Sequence, residues 1–138
     1  MKIVICGSMS SAVKMLNAEK ELLQKGHKVV LPKHTKEYAE IESEADTSHE
    51  SIKDKIEQDL IRDYFEEIKN ADAVLIINVD KYGIQNYIGG NAFLEMGFAY
   101  VLSKPIYILN QIPEIFYKDE ILAMQPITLN GNLSKIHL

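Results

Sequence analysis

Glu95 is the one charged residue in the run Ala92-Phe93-Leu94-Glu95-Met96-Gly97-Phe98-Ala99-Tyr100-Val101-Leu102, directly behind the glycine pair Gly89-Gly90. A carboxylate inside an apolar helical run loses hydration, so it must be paired, hydrogen-bonded or used. Gly89-Gly90-Asn91 reads as a backbone nest opening onto a helix with Asn91 as N-cap, which sets Glu95 about one turn inside the positive end of the helix dipole. The dipole favours the ionised form, and an ionised carboxylate suits nucleophilic attack on an electrophilic carbon. The competing reading is a Glu that complements the dipole and points to solvent. Phe98 and Ala99, three and four positions on, weigh against it, because they give Glu95 apolar neighbours on its own face.

Other residues are placed to share such work. Asp59 and Asp63 lie four apart in a segment of helical spacing, hence on one face, as an acid or hydroxyl-binding pair; their charged neighbours Glu57, Arg62, Glu66, Glu67 and Lys69 fit a plain solvated face. Asp80 follows the most apolar strand of the chain, where it could meet a substrate or make an Asx turn. Tyr82 and Tyr87, in the same loop, could stack on a planar base, pack the loop against the body, or meet a neighbouring subunit. Gly7-Ser8-Met9-Ser10-Ser11 brings N–H groups and hydroxyls to a strand-to-helix junction, a geometry that suits phosphate or a sugar hydroxyl. The alternative there is a tight turn at Gly7 with Ser10 or Ser11 capping a helix. Neither a dinucleotide fingerprint, nor a P-loop, nor a Ser-His-Asp elbow is present. His27, His34, His49 and His137 lack ligand spacing and Cys6 is the only cysteine, so no metal and no cofactor are expected.

The elements that must position these residues follow from hydrophobic period. Ile3-Val4-Ile5-Cys6 is a continuous apolar run ended by Gly7, the pattern of a strand buried on both faces of a parallel sheet. Val13, Leu16, Ala18, Leu22 and Leu23 predict a helix stopped at Lys25-Gly26. Residues 27–31 read as a second strand closed by Pro32, and 33–50 as a polar excursion over the surface. From Ser51 the stripe Ile52, Ile56, Leu60, Ile61, Tyr64, Phe65 and Ile68 predicts a long amphipathic helix. Residues 73–77 are the clearest strand, 78–90 a loop, 106–109 a strand, 119–124 a short helix and 127–129 a last strand. Strands alternating with helices predict an α/β layered fold with a mainly parallel sheet of about five strands and right-handed crossovers. Ligands of such sheets lie at the carboxyl ends of the strands, so 7–10, 78–90 and the first turn holding Glu95 converge on one crevice.

At 138 residues the chain fits one domain, 1–138, with no linker or internal repeat. Fifteen Lys plus Arg against twenty Asp plus Glu leave it mildly acidic, which argues against a nucleic-acid polymer as partner. No run reaches membrane-spanning length and the apolar part of the N-terminus is short for a signal peptide, so the expectation is a cytoplasmic protein without a membrane partner.

Four segments, in order along the chain, resemble the nucleoside 2-deoxyribosyltransferase family, which includes the 2′-deoxynucleoside 5′-phosphate N-hydrolases. They are Ile5-Cys6-Gly7-Ser8-Met9, Asp63 ahead of Ala71-Asp72-Ala73-Val74, Asp80 after that strand, and Gly90-Asn91-Ala92-Phe93-Leu94-Glu95-Met96-Gly97-Phe98-Ala99. The last is the strongest, matching the family's nucleophile motif. The resemblance implies a three-layer Rossmann-like or flavodoxin-like domain, often a homo-oligomer, that cleaves or transfers at the N-glycosidic bond of a small-molecule deoxynucleoside or its monophosphate. Glu95 would attack the anomeric carbon, Asp63 would position sugar or nucleophile, and Gly7 and Ser8 would touch the substrate. Gly90 and Glu95 are one position further apart than in the transferase motif, and Asp63 lies about one residue further from the following strand, which leaves Asp59 as a competitor. Cys6-Gly7-Ser8-Met9 replaces the tyrosine common in transferases and is closer to the hydrolase type; small residues with open N–H groups there favour a monophosphate. The alternative function is a nucleotide-binding or sensing module of the same fold, in which Glu95 accepts a ligand hydroxyl; a third is a structural protein whose tyrosine-bearing loop serves assembly.

Overall fold

An apolar run with no polar face needs cover on both sides. In β1 (Lys2–Cys6), Ile3, Val4, Ile5 and Cys6 have no exposed surface. The computed structural model describes residues 1–40 and 59–137. After β1 come a 3₁₀ turn at Met9–Ser11, α1 (Ala12–Gln24), β2 (Lys28–Val30), α2 (Thr35–Glu40) and α3 (Leu60–Lys69). Then follow β3 (Ala73–Ile76), the strands β4 (Val79–Lys81) and β5 (Ile84–Tyr87), α4 (Gly90–Val101), β6 (Ile106–Ile108), α5 (Lys118–Ala123) and β7 (Ile127–Thr128).

Five strands form one sheet in the order β2-β1-β3-β6-β7, parallel throughout. This is the flavodoxin-like order, in which the chain steps to one side of β1 and then crosses to the other, opening a crevice at the carboxyl ends of β1 and β3. Period-2 alternation sends successive side chains to opposite layers. Val4, Cys6, Val74, Ile76, Ile106 and Ile108 meet Tyr64 and Ile68 of α3, Ala92, Met96 and Ala99 of α4, and Ile121 of α5. Ile3, Ile5, Ala73, Leu75 and Tyr107 meet Ala12, Met15, Ala18 and Leu22 of α1, with Leu133 and Ile136 near the C-terminus. The three-layer α/β architecture expected from the strand and helix pattern is therefore the one observed. Among the described residues no helix is long and apolar enough to cross a membrane.

Local differences from the sequence expectation have physical causes. The stretch expected as a loop at 78–90 contains an antiparallel hairpin, β4 with β5. Its turn is built on Tyr82 and Gly83, with φ of 55° and 73°, the sign pattern of a type I′ turn without the usual Asn-Gly signature. The stretch expected as a polar excursion holds α2, a helix of six residues. Helix α3 begins at Leu60 because Asp59 is left-handed at φ 50°, a conformation a right-handed helix does not pass through. The upstream part of that predicted stripe, Ile52 and Ile56, lies outside the described residues. Gly89, not Asn91, is the N-cap of α4. Neither Ser10 nor Ser11 caps α1 through its side chain: the Ser11 hydroxyl donates to the Ser8 carbonyl at 2.7 Å, and the Ser8 and Ser10 hydroxyls bond each other at 2.7 Å. The stop at Lys25-Gly26 is as expected, with Gly26 at φ 90°.

Candidate active site

The sheet order gathers loops at the carboxyl ends of the strands, and a cleft of about 550 Å³ lies at those of β1 and β2. Gly7 and Met9 after β1 form part of its floor, and residues 30–34 after β2 form one side. Leu60, Asp63, Tyr64 and Glu67 enter from α3, and Asn91, Leu94, Glu95 and Phe98 from α4. Gly7 lies against its surroundings so closely that an added Cβ would sit 3.0 Å from the Ser11 hydroxyl oxygen, 3.2 Å from the Ile77 carbonyl oxygen and 3.2 Å from the Met15 sulfur. A side chain at this position would have to push the helix-entry turn aside.

Glu95 is half-buried and faces this cleft in company with Asp63. Cys6, at the end of β1, is wholly buried. Burial, then the charge of nearby Glu95 and hydrogen bonding with it, push the Cys6 thiol well above its ordinary range, so it stays protonated. Tyr64 lies beside both and donates its hydroxyl to the Ile5 carbonyl. Burial is the main cause of its strongly raised phenol, followed by the neighbouring Cys6, Glu95 and Glu67. One partly solvated carboxylate thus lies near two buried protic groups, the Cys6 thiol and the Tyr64 hydroxyl, that remain neutral.

Of the residues singled out in the sequence, Glu95, Asp63, Gly7, Met9 and Asn91 line the one cleft. Ser8, Asp59, Asp80, Tyr82, Gly89 and Gly90 do not line it. Ser8 spends its carbonyl and hydroxyl on the turn just described. Asp59 pairs with Arg62 at 2.9 Å on the surface. Asp80 accepts from the Asn86 backbone N–H at 2.8 Å, which ties the hairpin together. Tyr82 is 72% exposed and meets Tyr87 edge-on, with the Lys81 ammonium 4.9 Å from its ring centroid. Gly89 packs under the Tyr87 ring. Sequence reasoning missed Lys33, His34 and Tyr38 as lining residues. Their signal was topological, since Lys33 and His34 directly follow the carboxyl end of β2. Cys6 is buried, as its place in an apolar strand predicts. No group of three or more His, Cys, Asp or Glu among the described residues could hold a metal ion.

No protein-family model and no curated protein matches the chain. Among solved structures it is similar to a 2-deoxyribosyltransferase from the psychrotolerant bacterium Bacillus psychrosaccharolyticus, at 22% identity over 78% of this chain and 71% of that one, with a TM-score of 0.49. A likeness of that size assigns nothing to this chain, and its α/β fold stands on its own strand order.

Proposed function

We propose that this protein cleaves or transfers at the N-glycosidic bond of a 2′-deoxynucleoside or its 5′-monophosphate, with Glu95 as nucleophile and Asp63 positioning sugar or nucleophile. The observation that carries the reading is Glu95 itself: a half-buried carboxylate in the second turn of α4, facing a cleft at the carboxyl ends of β1 and β2. The resemblance of 90–99 to a deoxyribosyltransferase nucleophile motif supports it independently of the geometry.

In the first step a Glu95 oxygen bonds to the anomeric carbon as the bond from carbon to base nitrogen breaks. The bonding pair leaves with the base, which takes up a proton. The second step reverses the geometry: water or a second base attacks the same carbon and Glu95 departs as carboxylate. A carboxylate close to a sugar carbon that carries developing positive charge lowers the barrier electrostatically before it bonds. By the same resemblance the protein works as a homo-oligomer. The Ser8, Tyr82 and Asp80 roles read from the sequence belong to this proposal only if loops 7–10 and 78–90 close over a bound substrate.

The test is incubation with each deoxynucleoside and each monophosphate, with released base followed by chromatography. Base should appear with wild type and not with Glu95→Gln, whose melting temperature stays near wild type because the substitution keeps shape. A panel in which no substrate loses its base refutes catalysis; thermal stabilisation by a nucleotide in that same panel would move the assignment to a binding module.

A further inference from the structure

The charged side chains of the cleft are sorted by wall. Among the described residues, Asp63, Glu66 and Glu67 enter from α3 and Glu95 from α4, whereas the basic ones, Lys33 and His34, both follow β2. The two walls belong to opposite layers of the sheet. Tyr64 and Phe98, on the acidic side, pack into the core under α3 and α4, while Leu31 and Tyr38, on the basic side, pack into the core under α1. A wall of carboxylates thus stands across the cleft from a basic one.

Displacement at an anomeric carbon needs that separation. The nucleophile approaches one face of the carbon while the base departs from the other, so a proton donor for the base belongs on the wall away from Glu95. Of the two basic side-chain types there, imidazole is the one that passes a proton near neutral pH, and an ammonium serves better as a fixed charge. We propose that His34 is a catalytic residue, the acid that protonates the departing base; this role rests on the glycosidic reading above. As the bond from carbon to base nitrogen breaks, its electron pair goes to the base and a proton moves from the His34 imidazolium to a ring nitrogen or carbonyl oxygen of that base. The neutral imidazole takes up a proton in the second step, from the attacking water or the incoming base.

Two further features of His34 fit a working side chain. Its backbone is left-handed at φ 70°, a conformation that glycine or asparagine adopts more easily, and holding another residue type there costs free energy. Its Nδ1 lies 3.9 Å from the Glu37 carboxylate, which steadies one edge of the ring and makes Nε2, on the other edge, the nitrogen to meet the base.

His34→Asn suits the left-handed backbone, so its melting temperature should equal or exceed that of wild type. Single-turnover base release is compared for the substrate that wild type takes best and for an activated analogue of it. The analogue is the 7-methylated form of a purine, which departs neutral without a proton, or the 5-fluorinated form of a pyrimidine, which departs more easily as an anion. The variant should lose roughly a hundredfold on the ordinary substrate and less than about tenfold on the activated one. His34→Gln, run alongside as a second replacement, should show the same ranking. Equal losses on both substrates, or no loss, where wild type releases base, overturn the role of His34 alone. A wild-type protein that releases no base from any substrate overturns the glycosidic reading, and this role with it.

Discussion

Replacing Cys6 by serine and following stability into alkaline solution probes the buried end of β1 without reference to turnover. Burial, aided by Glu95, lifts the Cys6 thiol well above its ordinary value of 9.0, so the folded chain keeps a proton that the unfolded chain gives up. The folded state therefore binds more protons in alkali. The contribution is fully present below the unfolded value and is lost as pH rises above it. At pH 11, two pH units above 9.0, a thiol that stays protonated in the fold costs on the order of 2 to 3 kcal/mol, at about 1.36 kcal/mol per unit. Serine does not ionise in this range, so the variant lacks this contribution. Urea unfolding of the two proteins, under reductant, at about pH 7.5 and about pH 11 should show their free-energy difference moving toward the variant by on the order of 2 to 3 kcal/mol, a relative midpoint change of roughly 1–2 M. A difference that stays constant within about 0.5 kcal/mol would refute a thiol held protonated in the fold.

Asp63→Asn should lower kcat by about ten- to a hundredfold with little change in unfolding midpoint, because Asp63 is an exposed residue of the cleft wall; a variant as active as wild type would return the role to Asp59 or remove it. Asn78 is wholly buried, donates to the Gln111 carbonyl at 3.0 Å and accepts from the Asn110 N–H at 2.9 Å, so Asn78→Ala should cost about 2–4 kcal/mol in denaturant unfolding, and a cost below about 1 kcal/mol would mean the network is dispensable. Gly7→Ala should reduce kcat/KM by roughly tenfold with a smaller loss of stability, since its Cβ would displace the turn that floors the cleft; unchanged kinetics would show that the turn is not in contact with substrate.

Much of the architecture was legible because it depends on period and continuity of apolar residues. The runs at 3–6, 73–77 and 106–109 contain no polar residue to expose, so they had to be covered strands, and the sheet places them at its centre. Glu95 stood out for the complementary reason, as a charge in an apolar run. The hairpin was not legible: Tyr82-Gly83 lacks a conventional turn signature, and Asp80 secures the hairpin through a bond that only the folded backbone creates. Nor was the start of α3, since the helical spacing of Ile56 and Leu60 continues through Asp59 while the backbone there is left-handed. The proximity of Cys6 to Glu95, 89 positions on in sequence, comes from the packing of α4 on β1, which no local pattern encodes. Lys33 and His34 illustrate a middle case, where the rule that loops at strand carboxyl ends line the crevice was available but their polar context read as open surface.

The most direct measurement is the mass of the protein itself during turnover. Acid quenching within the first turnovers of a deoxynucleoside or its monophosphate, followed by intact mass analysis and peptide mapping, should show one added deoxyribosyl unit, with or without its phosphate, on the peptide that carries Glu95. Glu95→Gln should show none. Base released by wild type while the sugar is found on another residue would contradict the assignment of Glu95 as nucleophile.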